Sequence, residues 1–233
     1  MPIATHRGTE HISTLSFTPE LAATLDAFAA GFGALAGLLL TAPSQEVLDQ
    51  VRDPQLLSQW PLPNEPHSER GIQLLLDSTA NQEGPEPIQR DFNQLFGGSQ
   101  RVRVSPYESV HRSVEGLLFD QETLQVRQAY ARFGLVAPRL HKEPDDHIGL
   151  EFGFVSTLCV RALEGYDAQD QPGLEEPLEG LVSFLNDHLL VWGPDFFTRA
   201  QEEANTDFYR GVAALGSGTC AAAQRVFGVA TGN

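Results

Sequence analysis

Apolar residues recur along this chain at steps of three and four. Leu21, Leu25, Phe28, Phe32, Leu35 and Leu39 form one continuous stripe. The stripe predicts a long helix opened by Thr18 and Pro19, a cap followed by a first-turn proline, and stopped before Pro43. Gly31, Gly33 and Gly37 lower its helix propensity and are expected to admit a close neighbour. Ser44 opens a short helix through Val51, and Asp53 with Pro54 opens another reaching Trp60. Residues 61–68, PLPNEPHS, hold three prolines and form the clearest connector, read as a loop inside one domain. Ser68 caps a helix carrying Ile72, Leu75 and Leu76, which Glu83 to Pro87 breaks. Ile88, Phe92, Leu95 and Phe96 mark the next, closed by Gly97 and Gly98, and Gln121 to Phe133 a further one, closed by Gly134.

Two stretches are ambiguous. Arg101 to Val104 alternates like a strand, but no partner strand is evident, so an extended lead into Pro106 is the economical reading. From Asp146, apolar Ile148, Leu150, Phe152 and Phe154 interleave with His147, Gly149, Glu151 and Gly153, which also suits a strand; the uninterrupted run to Leu163, with no turn signal before Gly165, favours helix. Pro144 restricts Glu143 to extended geometry, and Asp145 or Asp146 is expected to cap the helix that follows. His147 and Glu151 then share one face at i, i+4. A helix carrying Leu178, Leu181, Val182 and Leu185 is expected to end at Gly193 and Pro194, where another begins; the last runs from Asp207 into Ala221 to Ala223. Gly216 to Thr219 lacks the lysine and preceding strand of a phosphate loop and reads as a flexible helix end. The sum is an all-α fold of nine to eleven helices, a single globular domain over residues 18–233 behind a mobile segment 1–17.

Composition narrows the partners. With 31 acidic against 15 basic residues among 233, the formal charge is −16, which argues against nucleic acid and suits a cationic partner or plain solubility. Residues 164–188 carry acidic side chains and no Lys or Arg, as a solvated acidic face would. Cys159 and Cys220 stand far apart and read as free thiols, Cys159 buried in the apolar face, which fits a reducing compartment. The start of the chain lacks the basic and then apolar order of a secretion signal. The uncharged run Ala27 to Ala42 is shorter than a bilayer requires, so no stable membrane insertion is expected and the location reads as cytoplasmic.

Acid–base work by Asp145, Asp146 and His147, or a metal on His141, Glu143, His147 and Glu151, is chemically conceivable. The spacing matches neither an H-E-x-x-H helix nor a Cys/His framework, and no G-x-S-x-G nucleophile occurs, so no catalytic residue, metal ligand or cofactor is assigned. Carboxylates gathered at a helix entrance beside aromatic and leucine side chains suit a peptide in which arginines adjoin an apolar stretch.

Glu143, Pro144, Asp145, Asp146 and His147, continuing through Phe152, resemble the E-P-x-D-H signature of the TorD/DmsD family of redox enzyme maturation chaperones. Ser105 to Val110 is similar to its P-x-Y-x-S-V segment, Phe184 to Phe196 to its H-L-x-x-W-x-x-x-F segment, and Asp207 to Arg210 to its F-Y-R; the likeness covers roughly residues 95–215. The resemblance implies a non-enzymatic chaperone, monomer or homodimer, that holds the twin-arginine leader and the apo form of a molybdopterin oxidoreductase until its cofactor is inserted. On that reading Asp146 and His147 line the leader site, Glu143 and Asp145 add negative potential, and Pro144 fixes the loop. Tyr107 and Glu108 either form the opposite wall or pack inward, and His188 and Trp192 read first as packing anchors. His111, Val191 and the Gly193–Pro194 pair depart from the pattern and bear on the groove's shape. Two rivals use the same residues: a metal-dependent enzyme or metal-insertion factor built on Glu143 to His147, and a helical adaptor for another peptide.

Overall fold

The computed structural model describes residues 17–62, 65–97, 102–113, 120–138 and 144–228. Thr18 Oγ1 accepts the N–H of Leu21 at 3.2 Å, and Pro19 fills the first turn of α1 (Pro19–Leu40). By length and composition α1 could cross a membrane, with a mean hydropathy of 1.7 over its most apolar window, but its striped face, with Leu25, Phe32, Leu35 and Leu39, is buried in the core. It lies along α8 (Ile148–Asp167), the most extensive helix pair in the fold. Small residues set their separation: a Cβ on Gly149 would stand 3.0 Å from the Ala36 carbonyl oxygen, and one on Gly33 3.0 Å from Ser156 Oγ. That hydroxyl donates across the interface to the Ala29 carbonyl at 2.8 Å. Close approach therefore explains Gly33, and Gly31, which meets Leu62; Gly37 has nothing within 4 Å. The alternating start of α8 is helical because both faces meet the core, α1 on one side and later helices on the other.

A second tight pair is α4 (Pro66–Ala80) against α11 (Asp207–Phe227). A Cβ on Gly71 would lie 2.9 Å from the Gly211 carbonyl oxygen, and one on Gly218 would strike Ser68 at 2.3 Å. Two expectations change here. Ser68 is a buried contact inside α4, whose start is set by Glu65 and Pro66, and Gly216 to Thr219 is a packed mid-helix stretch. Glycine at helical spacing reads as an end in a string of letters and as an interface once a neighbour occupies it.

Between these pairs run α2 (Gln45–Val51), capped by Ser44, and α3 (Pro54–Leu57), which stops short of Trp60. α5 (Pro85–Leu95) is followed by a chain that folds back on it: Arg103 and Val104 donate their N–H groups to the Gln94 and Leu95 carbonyls, at 2.9 and 3.0 Å. The extended 102–106 segment thus needs no partner strand. α6 (Glu108–Arg112) and α7 (Gln121–Arg132) come next; Gly134, at φ +66, closes α7 as expected. α9 (Gln171–Phe184) continues through a π-helical turn, Leu185–Leu189, into α10 (Leu190–Glu203) without a break at Gly193 or Pro194. An interior proline costs about 3 kcal/mol, whereas burying one aromatic side chain contributes about 1.5–3 kcal/mol. Trp192, Phe196 and Phe197 are all buried on α10, so tertiary packing outweighs the missing N–H.

The described residues hold eleven α-helices and one π turn, with a single isolated antiparallel bridge, Tyr107 to His147, and no strand. Phe17 already packs on Tyr166, ring centroids 5.7 Å apart, while residues 1–16 lie outside the description. Cys159 and Cys220 are buried and free, and burial pushes the Cys159 thiol up to about 12.

Gly37→Ala is expected to raise the unfolding free energy by about 0.5–1 kcal/mol, since a methyl group there meets nothing and alanine is the better helix former. Gly71→Ala, driven into the α11 backbone, is expected to lower it by about 1–3 kcal/mol; urea unfolding of the two variants beside wild type checks the opposite signs.

Candidate peptide-binding site

Two motif segments far apart in sequence lie antiparallel just before their helices begin. The Glu108 N–H donates to the Asp146 carbonyl at 3.0 Å and the Ile148 N–H to the Pro106 carbonyl at 2.8 Å. This pairing sets the rings of Tyr107 and His147 edge to face, with centroids 5.2 Å apart. The cap of α8 is His147, whose Nδ1 accepts the Gly149 N–H at 3.1 Å, in place of the aspartate expected from the sequence.

Asp146 is occupied elsewhere. Its Oδ2 accepts the Ser109 N–H at 2.7 Å and its Oδ1 the Thr123 hydroxyl at 2.8 Å, so one carboxylate joins the starts of α6, α7 and α8. It is 0% exposed. Asp145, also 0% exposed, pairs through Oδ2 with Arg127 and accepts the Tyr130 hydroxyl on its carbonyl at 3.2 Å; among the described residues its Oδ1 has no hydrogen-bond partner. Glu108, likewise sealed, takes Arg112 and His188 Nδ1, the latter at 2.9 Å, and Arg112 also donates to the Asp187 carbonyl. The expectation that these carboxylates line a surface site is therefore corrected. A dehydrated charge is costly unless donors surround it, and here the chain's own donors do so.

Glu151 completes the cluster. Trp192 Nε1 donates to its Oε2 at 3.2 Å, while burial, reinforced by Glu108 and Asp146, raises its carboxyl well above the usual range. The same buried negative surroundings, after burial itself, raise Tyr130. His188 stacks on Phe184 with centroids 5.1 Å apart, and Trp192 lies 5.0 Å from His111, so both act as anchors behind the site. His111 keeps the aromatic role of its position: it packs on Trp192 and Phe196 and donates Nε2–H to the Ser105 carbonyl at 2.7 Å, and burial lowers its pKa. Thr123 and Arg127 were not singled out in the sequence. Neither belongs to a motif, and only the fold brings α7 beside residues 145 and 146.

What faces outward is apolar. A groove of about 400 Å³ opens beside the Tyr107–His147 pair, lined also by Pro144, Leu150, Leu40, Phe92, Phe96, Ala137 and Pro138. Leu40, one of its lining residues, is 38% exposed. Of the nine expected site residues, Tyr107, Pro144 and His147 border this groove, Glu108, Asp145, Asp146, His188 and Trp192 lie behind it, and Glu143 lies outside the described residues. A larger polar cleft of about 790 Å³ near Asp49 and Arg52 shares none of the motifs. Among the described residues no group of three or more His, Cys, Asp or Glu side chains is arranged to hold a metal ion; His141 and Glu143 are not among them.

A family profile described as nitrate reductase delta subunit matches residues 65–198. The protein named "Probable Tat proofreading chaperone DmsD" of Haemophilus influenzae is 25% identical over 170 residues, 73% of this chain and 74% of that protein. The chaperone protein TorD of Vibrio parahaemolyticus is 28% identical over 125 residues, 54% of this chain and 57% of that one, so the match spans little more than half of the TorD relative. A solved structure of an Archaeoglobus fulgidus chain aligns with a TM-score of 0.46 at 18% identity, over 87% of this chain and 96% of that one, too distant to bear on function.

Asp146→Ala strands two buried donors and is expected to lower the unfolding free energy by about 2–4 kcal/mol, with Asp146→Asn closer to wild type, as read by denaturant unfolding. Because Glu151 binds its proton more tightly folded than unfolded, its contribution to stability falls as pH rises above the ordinary carboxyl value of about 4.3, by up to about 1.4 kcal/mol per unit, until the folded value is reached. Glu151→Gln, still able to accept from Trp192, is expected to flatten that decline, so unfolding midpoints of variant and wild type converge at acid pH and separate toward pH 8.

Proposed function

Since the chain belongs to the nitrate reductase delta subunit family, we propose that it is a chaperone that binds the twin-arginine signal peptide of a molybdopterin oxidoreductase and assists the apo enzyme's maturation before export. The observation that carries this reading is the apolar groove beside Tyr107 and His147, built where two motif segments pair. A twin-arginine leader couples arginines to an apolar run. The groove suits the run, entering as a helix or extended segment, and the formal charge of −16 draws in the arginines. The relatives DmsD and TorD carry chaperone names, which supports the same class. A role before export accords with a cytoplasmic location, and the two buried free thiols accord with a reducing one.

The chain works by binding and without catalysis. Asp145 and Asp146, which an acid–base or metal-insertion role would draw on, have oxygens engaged by Arg127, Ser109 and Thr123, and His147 Nδ1 caps α8. These internal bonds favour the chaperone over the metal-dependent rival.

Titration with a synthetic leader peptide tests this. An Arg-Arg peptide is expected to bind more tightly than its Lys-Lys counterpart, and less tightly as salt rises. His147→Ala and Tyr107→Ala are expected to weaken binding roughly tenfold with little loss of helicity. No binding by wild type, or full affinity in both variants, counts against the reading.

A further inference from the structure

The last carbonyls of a helix project past its C-terminal end without a partner inside the helix, and the aligned peptide dipoles give that end about half an elementary negative charge. At the end of α5 the chain serves them itself, the Gln94 and Leu95 carbonyls taking the Arg103 and Val104 N–H groups. The end of α1 is different. The Thr41 N–H closes on the Gly37 carbonyl and the chain then leaves in extended geometry, so the Leu38, Leu39 and Leu40 carbonyls accept no hydrogen bond among the described residues. Sequence dictates part of this: the residue placed to donate to Leu39 is Pro43, which has no N–H. No basic side chain stands in the last turn. Water serves an open helix end, but Leu38 and Leu39 are only 6% and 1% exposed, and a buried carbonyl without a donor is costly.

This end borders the apolar groove. Leu40 and Thr41 form part of its wall, beside Phe96 and Gly97 at the end of α5, whereas the Asp145 and Asp146 carboxylates are sealed behind it. Acceptors with negative potential and no cation of their own thus adjoin an apolar surface. Their complement is a guanidinium, whose five N–H donors lie in a planar fork and serve several carbonyls together.

We propose that the C-terminal end of α1 is the arginine-binding end of the groove, its Leu38 to Leu40 carbonyls accepting from a leader guanidinium while the apolar run lies along Leu40, Phe96 and Leu150. The proposal rests on the chaperone reading. The incoming arginine takes the part that a lysine or arginine in the last turn plays within other helices. The formal charge of −16 supplies long-range attraction, and the carbonyls fix where the cation stops.

The experiment compares wild type, Thr41→Lys, Thr41→Met and Leu56→Lys by fluorescence anisotropy, with a labelled Arg-Arg leader peptide and with one whose two arginines are replaced by glutamine. A lysine at position 41 brings its own ammonium to the last-turn carbonyls, and methionine is of similar length without the charge. Leu56, exposed on α3 and outside the groove lining, carries the same added charge elsewhere. Thr41→Lys is expected to bind the Arg-Arg peptide about tenfold more weakly than Thr41→Met. Leu56→Lys is expected to stay within about twofold of wild type. The glutamine peptide is expected to bind Thr41→Lys and Thr41→Met alike. Equal Arg-Arg affinity in the two Thr41 variants overturns the proposal, as does an equal loss of both peptides in Thr41→Lys or an equal Arg-Arg loss in Leu56→Lys. A measurement free of leader and variants accompanies it: methylguanidinium added to isotope-labelled wild type is expected to shift the Leu38, Leu39 and Leu40 carbonyl resonances saturably. Absence of that shift overturns the proposal even where a variant does not fold. Wild type that binds the leader without the Thr41 contrast leaves the chaperone reading standing, and wild type that binds no leader overturns both.

Discussion

A carboxylate cut off from water must be supplied with donors by the chain, and Asp146 shows how far that requirement reaches. Its two oxygens hold the first turns of α6 and α7, while its carbonyl accepts the N–H of Glu108 at the start of α6 and its own backbone leads into α8. Three helices take their relative placement from one side chain. Loss of a donor here leaves a buried acceptor unmatched, so the geometry is closely specified and not merely favoured.

Around that clamp the other motif residues divide by depth. Glu108 with His188 and Arg112, and Glu151 with Trp192, extend the polar network toward the π turn and α10. Their aromatic partners, Phe184, Phe196 and His111, wall it off from solvent. Nearer the surface, the same backbone pairing that serves Asp146 presents Tyr107 and His147 at the groove. A rigid buried network thus holds an apolar opening in shape, the preorganisation on which the proposed peptide binding would draw.

Residues 184–196 illustrate why a helix survives two poor helix formers. A Cβ at Gly193 would meet Cys220 at 3.5 Å and Ile148 at 4.0 Å, ordinary contact distances; Pro194 lies where its neighbours Trp192, Phe196 and Phe197 are buried, and the one irregularity is a π turn that carries His188 to Glu108. π turns recur at functional sites because the wider turn re-aims a side chain, which here is the histidine facing Glu108.

Much of this was legible from spacing alone. The stripe from Leu21 to Leu39, the Thr18 cap, Gly134 as a terminator and the helical reading of 148–163 depend on local periodicity and capping, which are short-range properties of the letters. The likeness to a family marked the 105–110 and 143–152 segments as candidate walls of one site and left open whether Tyr107 and Glu108 pack inward. What spacing could not decide was direction: Asp145 and Asp146 look like surface charges beside a proline, yet they point inward because Arg127, Thr123 and the Ser109 N–H, eighteen to thirty-seven residues away, arrive to meet them. Burial of a polar side chain depends on partners brought from elsewhere in the chain, and Ser68, Gly218 and Pro194 were misread for the same reason. Periodicity determined that the chain is helical and roughly where; only tertiary packing decided which charges became the frame and which apolar and aromatic residues were left to form the opening.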